Sequence, residues 1–284
     1  MKRLATLIPV AMVVLAIAPV VRAGFVVDYD NPGDLAANFN LNHNGAGNKY
    51  VETAGVGLGG TQGVTILGAV DQAHTSAVYR LSSFDFSGTG DLVTVEHFFL
   101  RQDAPFPIVN FSVPQIGILT DNTEHFGSNV AGQSYASLRL LSSTANDTDV
   151  FLQSEVKSGS GTRQQAGGPD SATLTAGNWY RMVASFENVS ATDVRITGAL
   201  EDWGTTGASL VSTVLQITNA DAASLMSFTG TDVVLGDSSV WPGWRAFAEG
   251  GVAVMDDFAA APEPSTLALL AVAGGLIRRR RRSS

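Results

Sequence analysis

The sequence of 284 residues contains no cysteine, which excludes disulfide bonds, thiolate metal ligands and thiol-based catalysis. The absence of cysteine does not identify a reducing compartment, because a chain of this length buries enough apolar surface to be stable without disulfides. Charged residues are also sparse, at 15% of the chain, while 45% of the residues are hydrophobic. This composition excludes an intrinsically disordered or collagen-like chain and predicts a folded core.

Basic residues are scarce in the middle of the chain. Eight of the 17 Lys and Arg residues lie near the two ends, so the stretch from Gly24 to Ala261 has nine basic residues against 25 acidic ones, a formal charge of −16. A nucleic-acid-binding surface needs a concentration of basic side chains on one face. We therefore expect no nucleic-acid partner.

The N-terminus is typical of a secretory signal peptide. Lys2 and Arg3 precede an apolar run over residues 4–21, and the sequence Val21-Arg22-Ala23 offers a cleavage site with small residues at its first and third positions. An uncleaved membrane anchor is the alternative, but the polar, strand-like sequence that follows favours cleavage. The sequence predicts a signal peptide over residues 1–23.

The C-terminus has three parts in a fixed order. Pro262, Glu263 and Pro264 come first, an apolar segment over residues 265–277 follows, and a basic tail closes the pattern. As a helix, the apolar core of this segment, residues 267–277, rises about 16 Å, which is short of the ~30 Å hydrocarbon thickness of a bilayer. The basic tail consists of Arg278, Arg279, Arg280, Arg281 and Arg282. By the positive-inside rule, this tail stays in the cytoplasm and the upstream chain lies outside.

This order of Pro-Glu-Pro, short apolar helix and arginine cluster resembles the PEP-CTERM sorting signal of bacteria. The resemblance implies processing near Pro262 to Pro264 by an exosortase, a membrane-embedded enzyme resembling a cysteine transpeptidase. It further implies export through the inner membrane, transient anchoring by the C-terminal helix, and delivery to the cell surface or extracellular matrix. Many carriers of this signal live in species that secrete exopolysaccharide.

Between these segments, residues 24–261 have the alternating pattern of β-strands. In residues 179–187, Tyr180, Met182 and Phe186 fall on one face and Arg181 and Ser185 on the other. Only single helical turns are expected, near residues 32–38 and 219–226, and residues 158–170 read as a flexible loop. The predicted strands are residues 25–28, 64–67, 77–81, 92–100, 115–119, 135–141, 150–156, 179–187, 193–201, 210–217, 233–235 and 252–258.

We therefore predict one all-β domain, a two-sheet antiparallel β-sandwich or jelly roll, flanked by an N-terminal signal helix and a short C-terminal transmembrane helix. No repeat of 20 to 50 residues is present, which disfavours a propeller or a solenoid. The predicted boundaries are 1–23, 24–261 and 262–284, with the motif at 262–264, the apolar helix at 265–277 and the basic tail at 278–282.

The turn Gly177-Asn178-Trp179-Tyr180 entering a strand, together with a last strand that contains Asp256-Asp257-Phe258, resembles the concanavalin A-like lectins and glucanases, especially LamG-type jelly rolls. Members of that superfamily bind or cleave polysaccharides, often with a structural calcium ion. The resemblance implies a carbohydrate-related role for residues 25–259.

Catalytic motifs are absent from the sequence. Laminarinase-type enzymes of this superfamily carry a Glu-x-Asp-x-x-Glu strand, because glycoside cleavage needs two carboxylates close together, and this string does not occur here. Glu96 and Glu155 are the two mid-strand glutamates able to form such a pair, and solvent-facing glutamates are the alternative. The serine-hydrolase, zinc-protease and P-loop motifs are also missing, and the four histidines show no metal-ligand spacing. We expect no enzyme.

Two groups of residues are candidates for binding. Trp241, Trp244 and Arg245 on a predicted Gly/Pro turn, with Arg163 and Gln164 (and Gln165 beside it) on the predicted loop, suit a sugar platform of aromatic faces and hydrogen-bonding groups. The alternative is that the tryptophans close the end of the sandwich.

Calcium is the one cofactor that the sequence leaves open. Carboxylate oxygens from Asp28 and Asp30 would combine with those of Asp256 and Asp257 if the first and last strands pair. The alternative is a set of solvated turn carboxylates.

These features predict an exported, non-catalytic, carbohydrate-binding or exopolysaccharide-associated matrix protein. Two alternatives remain open: a glycoside hydrolase or polysaccharide lyase of concanavalin A-like fold, and a purely structural surface protein. The expected partners are an exosortase, the inner membrane during export, and an exopolysaccharide or other glycan.

Overall fold

The computed structural model describes residues 24–43, 50–67, 74–101, 112–123, 126, 134–142, 149–159, 161–229, 235–237, 239–247 and 252–263. The predicted signal peptide, Pro264, the apolar segment 265–277 and the arginine tail lie outside these residues. Within the described part of the chain, no helix is long and apolar enough to cross a membrane.

The described residues form sixteen strands, and every strand pair among them is antiparallel. The strands are β1 (Phe25–Val27), β2 (Phe39–His43), β3 (Tyr50–Thr53), β4 (Gly63–Ile66), β5 (His74–Tyr79), β6 (Leu92–Arg101), β7 (Ser112–Leu119), β8 (Tyr135–Ser142), β9 (Asp149–Lys157), β10 (Gln164–Thr173), β11 (Trp179–Asn188), β12 (Asp193–Asp202), β13 (Ser212–Ile217), β14 (Leu225–Ser227), β15 (Trp241–Phe247) and β16 (Val252–Glu263).

The strands form two sheets. The nine-stranded sheet has the order β13-β12-β11-β6-β16-β4-β3, with β1 also paired to β16 and β14 to β12. The seven-stranded sheet has the order β10-β9-β8-β7-β15-β5-β2. The predicted two-sheet antiparallel sandwich is confirmed, and so is each predicted strand except residues 233–235, of which only Leu235 is described and lies in a turn.

One continuous apolar core fills the space between the sheets. Val93 and Phe186 of the nine-stranded sheet and Leu138 and Ile116 of the seven-stranded sheet are fully buried in it. Because successive side chains of a strand point to opposite faces, filling this core places the intervening residues on the two outer faces. Charged side chains such as Glu155 and Arg181 therefore lie on these outer faces.

The last strand lies in the middle of its sheet and joins both ends of the domain. β16 pairs with β1 through Ala259 and Ala260, and with β6 from Val252 to Glu263. It continues to Pro262 and Glu263, which lie opposite Val93 and Leu92. Pro262 lies beyond the residues that β1 covers, so its missing N–H breaks no bond to β1. The strand thus extends two residues past the predicted domain boundary at Ala261.

Strands whose residues have weak β-propensity, or that contain Gly and Pro, were not predicted from the sequence. Residues 158–170 do not form a flexible loop throughout, because residues from Gln164 onward form the edge strand β10, which pairs with β9 around a bulge between Gly167 and Ser171. The predicted Gly/Pro turn at Trp241 is strand β15, paired on both sides. Strands β2, β3 and β14 were also unpredicted.

Helical structure is limited to short turns, as expected. The helix α1 (Asp34–Asn38) and the 3-10 turns Leu58–Gly60 and Ala222–Ser224 are the helical segments among the described residues. No side chain of the residue at the N-cap position, Gly33, is available to cap α1. Glu52 of β3 does so instead, because its two carboxylate oxygens accept hydrogen bonds from the backbone N–H groups of Gly33 and Leu35, at 2.7 Å each.

Gly198 of β12 lies directly against Leu138 of the opposite sheet and provides a test of this packing. A Cβ atom there would lie 2.5 Å from Leu138 Cδ2 of the opposite sheet and would also clash with the Val183 carbonyl oxygen. We expect Gly198→Ala to lower the free energy of unfolding by about 1–3 kcal/mol in urea denaturation. The matched control is Gly167→Ala, where the added atom would meet Phe151 Cε2 at an ordinary 3.4 Å and the change should be below about 1 kcal/mol. Equal effects of the two substitutions would contradict the packing described here.

Candidate functional site

The outer face of the seven-stranded sheet is rich in polar side chains. Ala136, Leu138 and Leu140 of β8 point into the core, so Tyr135 and Arg139 of the same strand point outward. A row of outward side chains crosses five neighbouring strands at one level, because the antiparallel register places these residues opposite one another. The row consists of Ser76, Arg245, Gln115, Arg139 and Gln153.

Glu155 of β9 is the centre of this face. Its side chain is 2% exposed and contacts four partners: Tyr135, Arg139, Arg163 and Gln165. The Tyr135 hydroxyl donates to Oε1, while Oε2 accepts a 2.7 Å hydrogen bond from Gln165 Nε2 and lies 3.2 Å from Arg139 Nε and 3.9 Å from Arg163 Nη1. We call these five residues the Glu155 cluster. One buried carboxylate thus fixes a phenol, an amide and two guanidinium groups.

Burial also alters the ionisation of the groups around Glu155. The pKa of Tyr135 lies well above 10, first because burial disfavours the phenolate and then because of the Glu155 charge, so its hydroxyl remains a donor. Burial lowers the pKa of Arg245 to about 10, Tyr135 and Glu155 oppose this shift, and Arg139 and Arg163 add to it. Arg245 therefore stays cationic at neutral pH.

Gln115 and Ser76 add uncharged polar groups to the same face. Gln115 Nε2 donates to Ser137 Oγ at 2.8 Å. Gln115 Oε1 and Ser76 Oγ are buried and have no hydrogen-bond partner among the described residues. Buried polar atoms of this kind are normally satisfied, so an ordered water or a ligand hydroxyl is the expected partner.

The predicted tryptophan pair is split between two faces of the sheet. Trp241 and Arg245 lie on the outer face, where the half-buried indole of Trp241 packs against the cluster of Val78, Leu119, Phe126 and Tyr135. Trp244 is fully buried in the core, and its Nε1 donates to the Tyr29 hydroxyl at 3.0 Å. The expectation of an exposed Trp244 is therefore wrong, because residues 241 and 244 are three apart on a strand and face opposite ways.

The two adjacent glutamines are separated in the same manner. Arg163 reaches the Glu155 cluster with a third of its side chain exposed, and Gln165 joins it from β10. Gln164, which was predicted to contribute, instead directs Nε2 to Thr162 O and Thr229 Oγ1, at 3.4 Å each. Since β10 was read as a loop, no alternation was available to choose between Gln164 and Gln165.

Glu96 cannot pair with Glu155, because the two lie on opposite outer faces with the sandwich between them. Glu96 lies on β6 of the nine-stranded sheet, 3.3 Å from Arg181 Nη1. Arg181 also pairs with Glu201 at 2.9 Å, and its guanidinium stacks over the Trp203 ring at 5.0 Å. Glu96 and Glu155 therefore do not form the carboxylate pair that glycoside cleavage would need.

The four aspartates considered for calcium meet at one corner of the nine-stranded sheet. The pairing of the first and last strands on which this expectation depended is confirmed. Asp256 is fully buried, with Oδ2 accepting from the Leu58 N–H at 2.6 Å and Oδ1 from the Asp257 N–H at 3.0 Å. Asp28 Oδ1 accepts from the Asp30 N–H at 3.2 Å. Backbone N–H groups thus already form hydrogen bonds with some of the carboxylate oxygens that would coordinate calcium.

Burial, together with repulsion from neighbouring carboxylates, changes the ionisation of Asp256 and Asp257. Burial raises the pKa of Asp256 to about 7, and the charges of Asp257 and Asp30 contribute. Burial likewise raises the pKa of Asp257 to about 6, with contributions from Asp28, Asp30 and Glu96. Nevertheless, no three His, Asp or Glu side chains converge as metal ligands in the described part of the chain. The side-chain positions therefore do not form a calcium site as they stand.

His97 is the one histidine whose side chain the structure describes. It lies in the core beside the rings of Tyr29, Trp244 and Phe258, and neither ring nitrogen has a hydrogen-bond partner there. Burial lowers its pKa well below 6.5, so it is neutral at pH 7. His97 is a packing residue of the core.

Comparison with known proteins gives similarity in structure alone. No protein-family model matches the sequence, and no curated protein matches it. The globular domain of T. cruzi calreticulin has a TM-score of 0.48 and 9% identity, over 89% of this chain and 94% of that one. Lectin I-B4 from Griffonia simplicifolia, in its metal-free form, has a TM-score of 0.48 and 12% identity, over 85% of this chain and 100% of that one. Alginate lyase Aly36B has a TM-score of 0.45 and 13% identity, over 85% and 96%. At these values the similarities decide neither ligand nor activity.

The acidic corner predicts a pH-dependent stability. The folded-state pKa of Asp257 is raised above its ordinary value of 3.8 to about 6, so its contribution is most favourable below pH 4 and is lost as the pH rises toward and beyond 6. We expect Asp257→Asn to raise the thermal unfolding midpoint relative to the parent at pH 8, and this gain should shrink at pH 4. Asp170→Asn, at an exposed position of β10, is the control for the removal of one aspartate charge. A gain that does not change with pH would contradict the raised pKa of Asp257.

Proposed function

We propose that this protein is an exported, non-catalytic β-sandwich of the cell surface or extracellular matrix that binds polysaccharide on the outer face of its seven-stranded sheet. The observation that carries the proposal is the Glu155 cluster, in which one buried carboxylate orients Arg139, Arg163 and Gln165. Such preorganised donors are what recognition of sugar hydroxyls needs, since less ordering entropy is lost on binding.

The exposure of the side chains favours a ligand at the rim of this cluster. Tyr135 and Glu155 are buried and act as supports, whereas Arg163, Gln165 and Trp241 retain exposed surface. An indole beside amide and guanidinium groups provides an apolar face for a sugar ring together with hydrogen-bond donors. The ligand is therefore expected near Arg163 and Trp241.

Binding is favoured over hydrolysis by the distribution of carboxylates. Glycoside hydrolysis needs two carboxyl groups about 5 to 10 Å apart on one face. Glu155 is the one acidic member of its cluster and is held by Arg139, while Glu96 lies on the other side of the sandwich. The alternative of a glycoside hydrolase or polysaccharide lyase predicts the release of shorter chains from a polysaccharide by the purified protein.

Delivery to the surface rests on the two terminal segments. We infer cleavage of the signal peptide after Ala23 and recognition of the Pro262 to Pro264 motif by an exosortase, with transient anchoring in the inner membrane. Because β16 ends at Glu263, removal of the residues after Pro264 would leave every described strand whole. This arrangement is compatible with processing of the folded domain.

A calcium ion at the acidic corner is part of the proposal. Binding would offset the repulsion between Asp257 and the Asp28 and Asp30 carboxylates, and it would require these side chains to move closer together than they are. The unfolding measurements at pH 8 test this when repeated with Ca²⁺: the parent should gain stability and Asp257→Asn should not. An equal response of the two proteins would place any calcium elsewhere.

The binding face predicts which substitutions abolish binding. In pull-downs with exopolysaccharide and on a glycan array, Arg163→Ala and Trp241→Ala should each weaken binding about tenfold or more, because each removes exposed contact surface. Arg195→Ala is the control, since Arg195 is equally exposed but pairs with Glu187 on the nine-stranded sheet. Binding that is insensitive to the first two substitutions would move the site, and a protein that binds no glycan would have a purely structural role.

The sorting signal predicts the mass of the mature protein. Intact-mass measurement on surface-localised protein should show loss of residues 1–23 and of the residues beyond about Pro264. Protein that retains Arg278 to Arg282 would instead indicate a simple tail anchor.

A variant with the five arginines replaced by serine is expected to be released from the inner membrane during export, because the positive charges that hold the tail in the cytoplasm are gone.

A further inference from the structure

Two glycines face each other in the middle of the outer face of the seven-stranded sheet. Gly117 of β7 lies directly opposite Gly243 of β15 in the strand register. Both positions belong to the outer face, because Ile116 and Trp244, their neighbours along the two strands, are buried in the core. Glycine inside a strand is typical of a place where another molecule approaches the backbone closely, since no side chain covers it. The outer face is therefore open to such an approach at this pair.

Two buried polar atoms lie next to this glycine pair. Gln115 precedes Gly117 on β7 by two residues, and Ser76 of β5 lies on the other side of β15, with Arg245 paired to both. The two side chains are at most 1% exposed, and neither Gln115 Oε1 nor Ser76 Oγ has a hydrogen-bond partner among the described residues. Gln115 Nε2 already donates to Ser137 Oγ at 2.8 Å. The carbonyl oxygen of Gln115 is thus the part of its amide that still needs a partner.

The chemistry of these two atoms defines the group that would satisfy them. The Gln115 carbonyl oxygen can only accept, so its partner must carry an O–H or N–H, whereas the Ser76 hydroxyl can donate as well as accept. A buried polar atom without a partner is unfavourable, and folded proteins retain few of them. A sugar hydroxyl both donates and accepts, so hydroxyl groups of a sugar suit both atoms.

An indole lies on the opposite side of the glycine pair. Trp241 precedes Gly243 on β15 by two residues and therefore shares the outer face, where it packs beside Val78 and Leu119. A sugar unit above the glycines would have the apolar surface of Trp241 on one side and the polar atoms of Gln115 and Ser76 on the other. An apolar surface next to hydrogen-bonding groups matches the two kinds of surface that a sugar ring presents.

We propose that Gln115, Ser76 and the pair Gly117 and Gly243 form a subsite for a sugar unit whose free hydroxyl groups bind the two buried polar atoms. This inference rests on the proposed function, because it names the chemical group of the polysaccharide that the face recognises. A hydroxyl blocked by an acetyl group has no hydrogen to donate and would leave Gln115 Oε1 unpaired. Sites built to bind a hydroxyl reject ligands that lack it for this reason.

The first test compares free and blocked hydroxyl groups on the same polysaccharide. Calorimetry measures the binding of laminarin, dextran and alginate to the purified protein, each in its native and its O-acetylated form. We expect at least one native polysaccharide to bind and its O-acetylated form to bind about tenfold more weakly, because the subsite then keeps an unpaired acceptor.

Matched serine variants locate the subsite. Ser76→Ala should weaken binding of that polysaccharide about tenfold. Ser154→Ala is the control, since Ser154 is also fully buried with an unpartnered Oγ, but it points into the core like Leu152 and Val156 of the same strand; binding should change less than about twofold. Ser76→Ala should unfold at the same temperature as the parent or higher, because it breaks no hydrogen bond. Gln115→Met, a second variant, should also weaken binding about tenfold.

The outcomes separate this inference from the proposed function. The subsite would be overturned by O-acetylated polysaccharide that binds as tightly as the native form, by Ser76→Ala and Gln115→Met that bind like the parent, or by equal weakening in Ser76→Ala and Ser154→Ala. A lower unfolding temperature of Ser76→Ala would show that its hydroxyl has a structural partner, which overturns the premise. These results leave polysaccharide binding at Trp241 standing. Absence of binding by the parent to all three polysaccharides and on the glycan array would overturn the proposed function itself.

Discussion

The close packing of the two inner sheet faces is the constraint on which the rest of this structure depends. Leu138 and Phe186 are fully buried in the apolar core, and Gly198 brings its strand close enough to Leu138 that no side chain fits there. With one face of each strand committed to this core, every second residue is directed outward. The functional surfaces of the sandwich follow from that alternation.

Positive and negative side chains also collect in different parts of the sandwich. The outer face of the seven-stranded sheet collects arginines around the buried Glu155, whereas the corner where β1 meets β16 collects Asp28, Asp30, Asp256 and Asp257. Each group contains like charges in partly buried positions, which is unfavourable. Residues that lower stability in this way are typical of binding sites, where a ligand of opposite charge offsets the cost.

The alternation of apolar residues along the chain was sufficient to predict the sandwich. It did not predict the strands whose residues have low β-propensity and which form because they pair with a neighbouring strand. Strand β10 contains Gly167, Gly168, Pro169 and Asp170, which favour a loop by local chemistry, but its pairing with β9 makes it a strand. The tryptophans of β15 were misjudged for the same reason. Pairing between segments distant in sequence leaves no local signal, so the choice of Gln165 over Gln164 and the opposite orientations of Trp241 and Trp244 could not be predicted.

The sequence by itself determined the class of fold, the acidity of the domain and the signals that its two ends resemble. These properties depend on local order, composition and spacing. Tertiary structure alone decided which charged residues meet. Glu155 joins Arg139, Arg163 and Gln165, and Glu96 is placed on the opposite face with Arg181, because strand register and sheet order fix such neighbours across long separations in the chain.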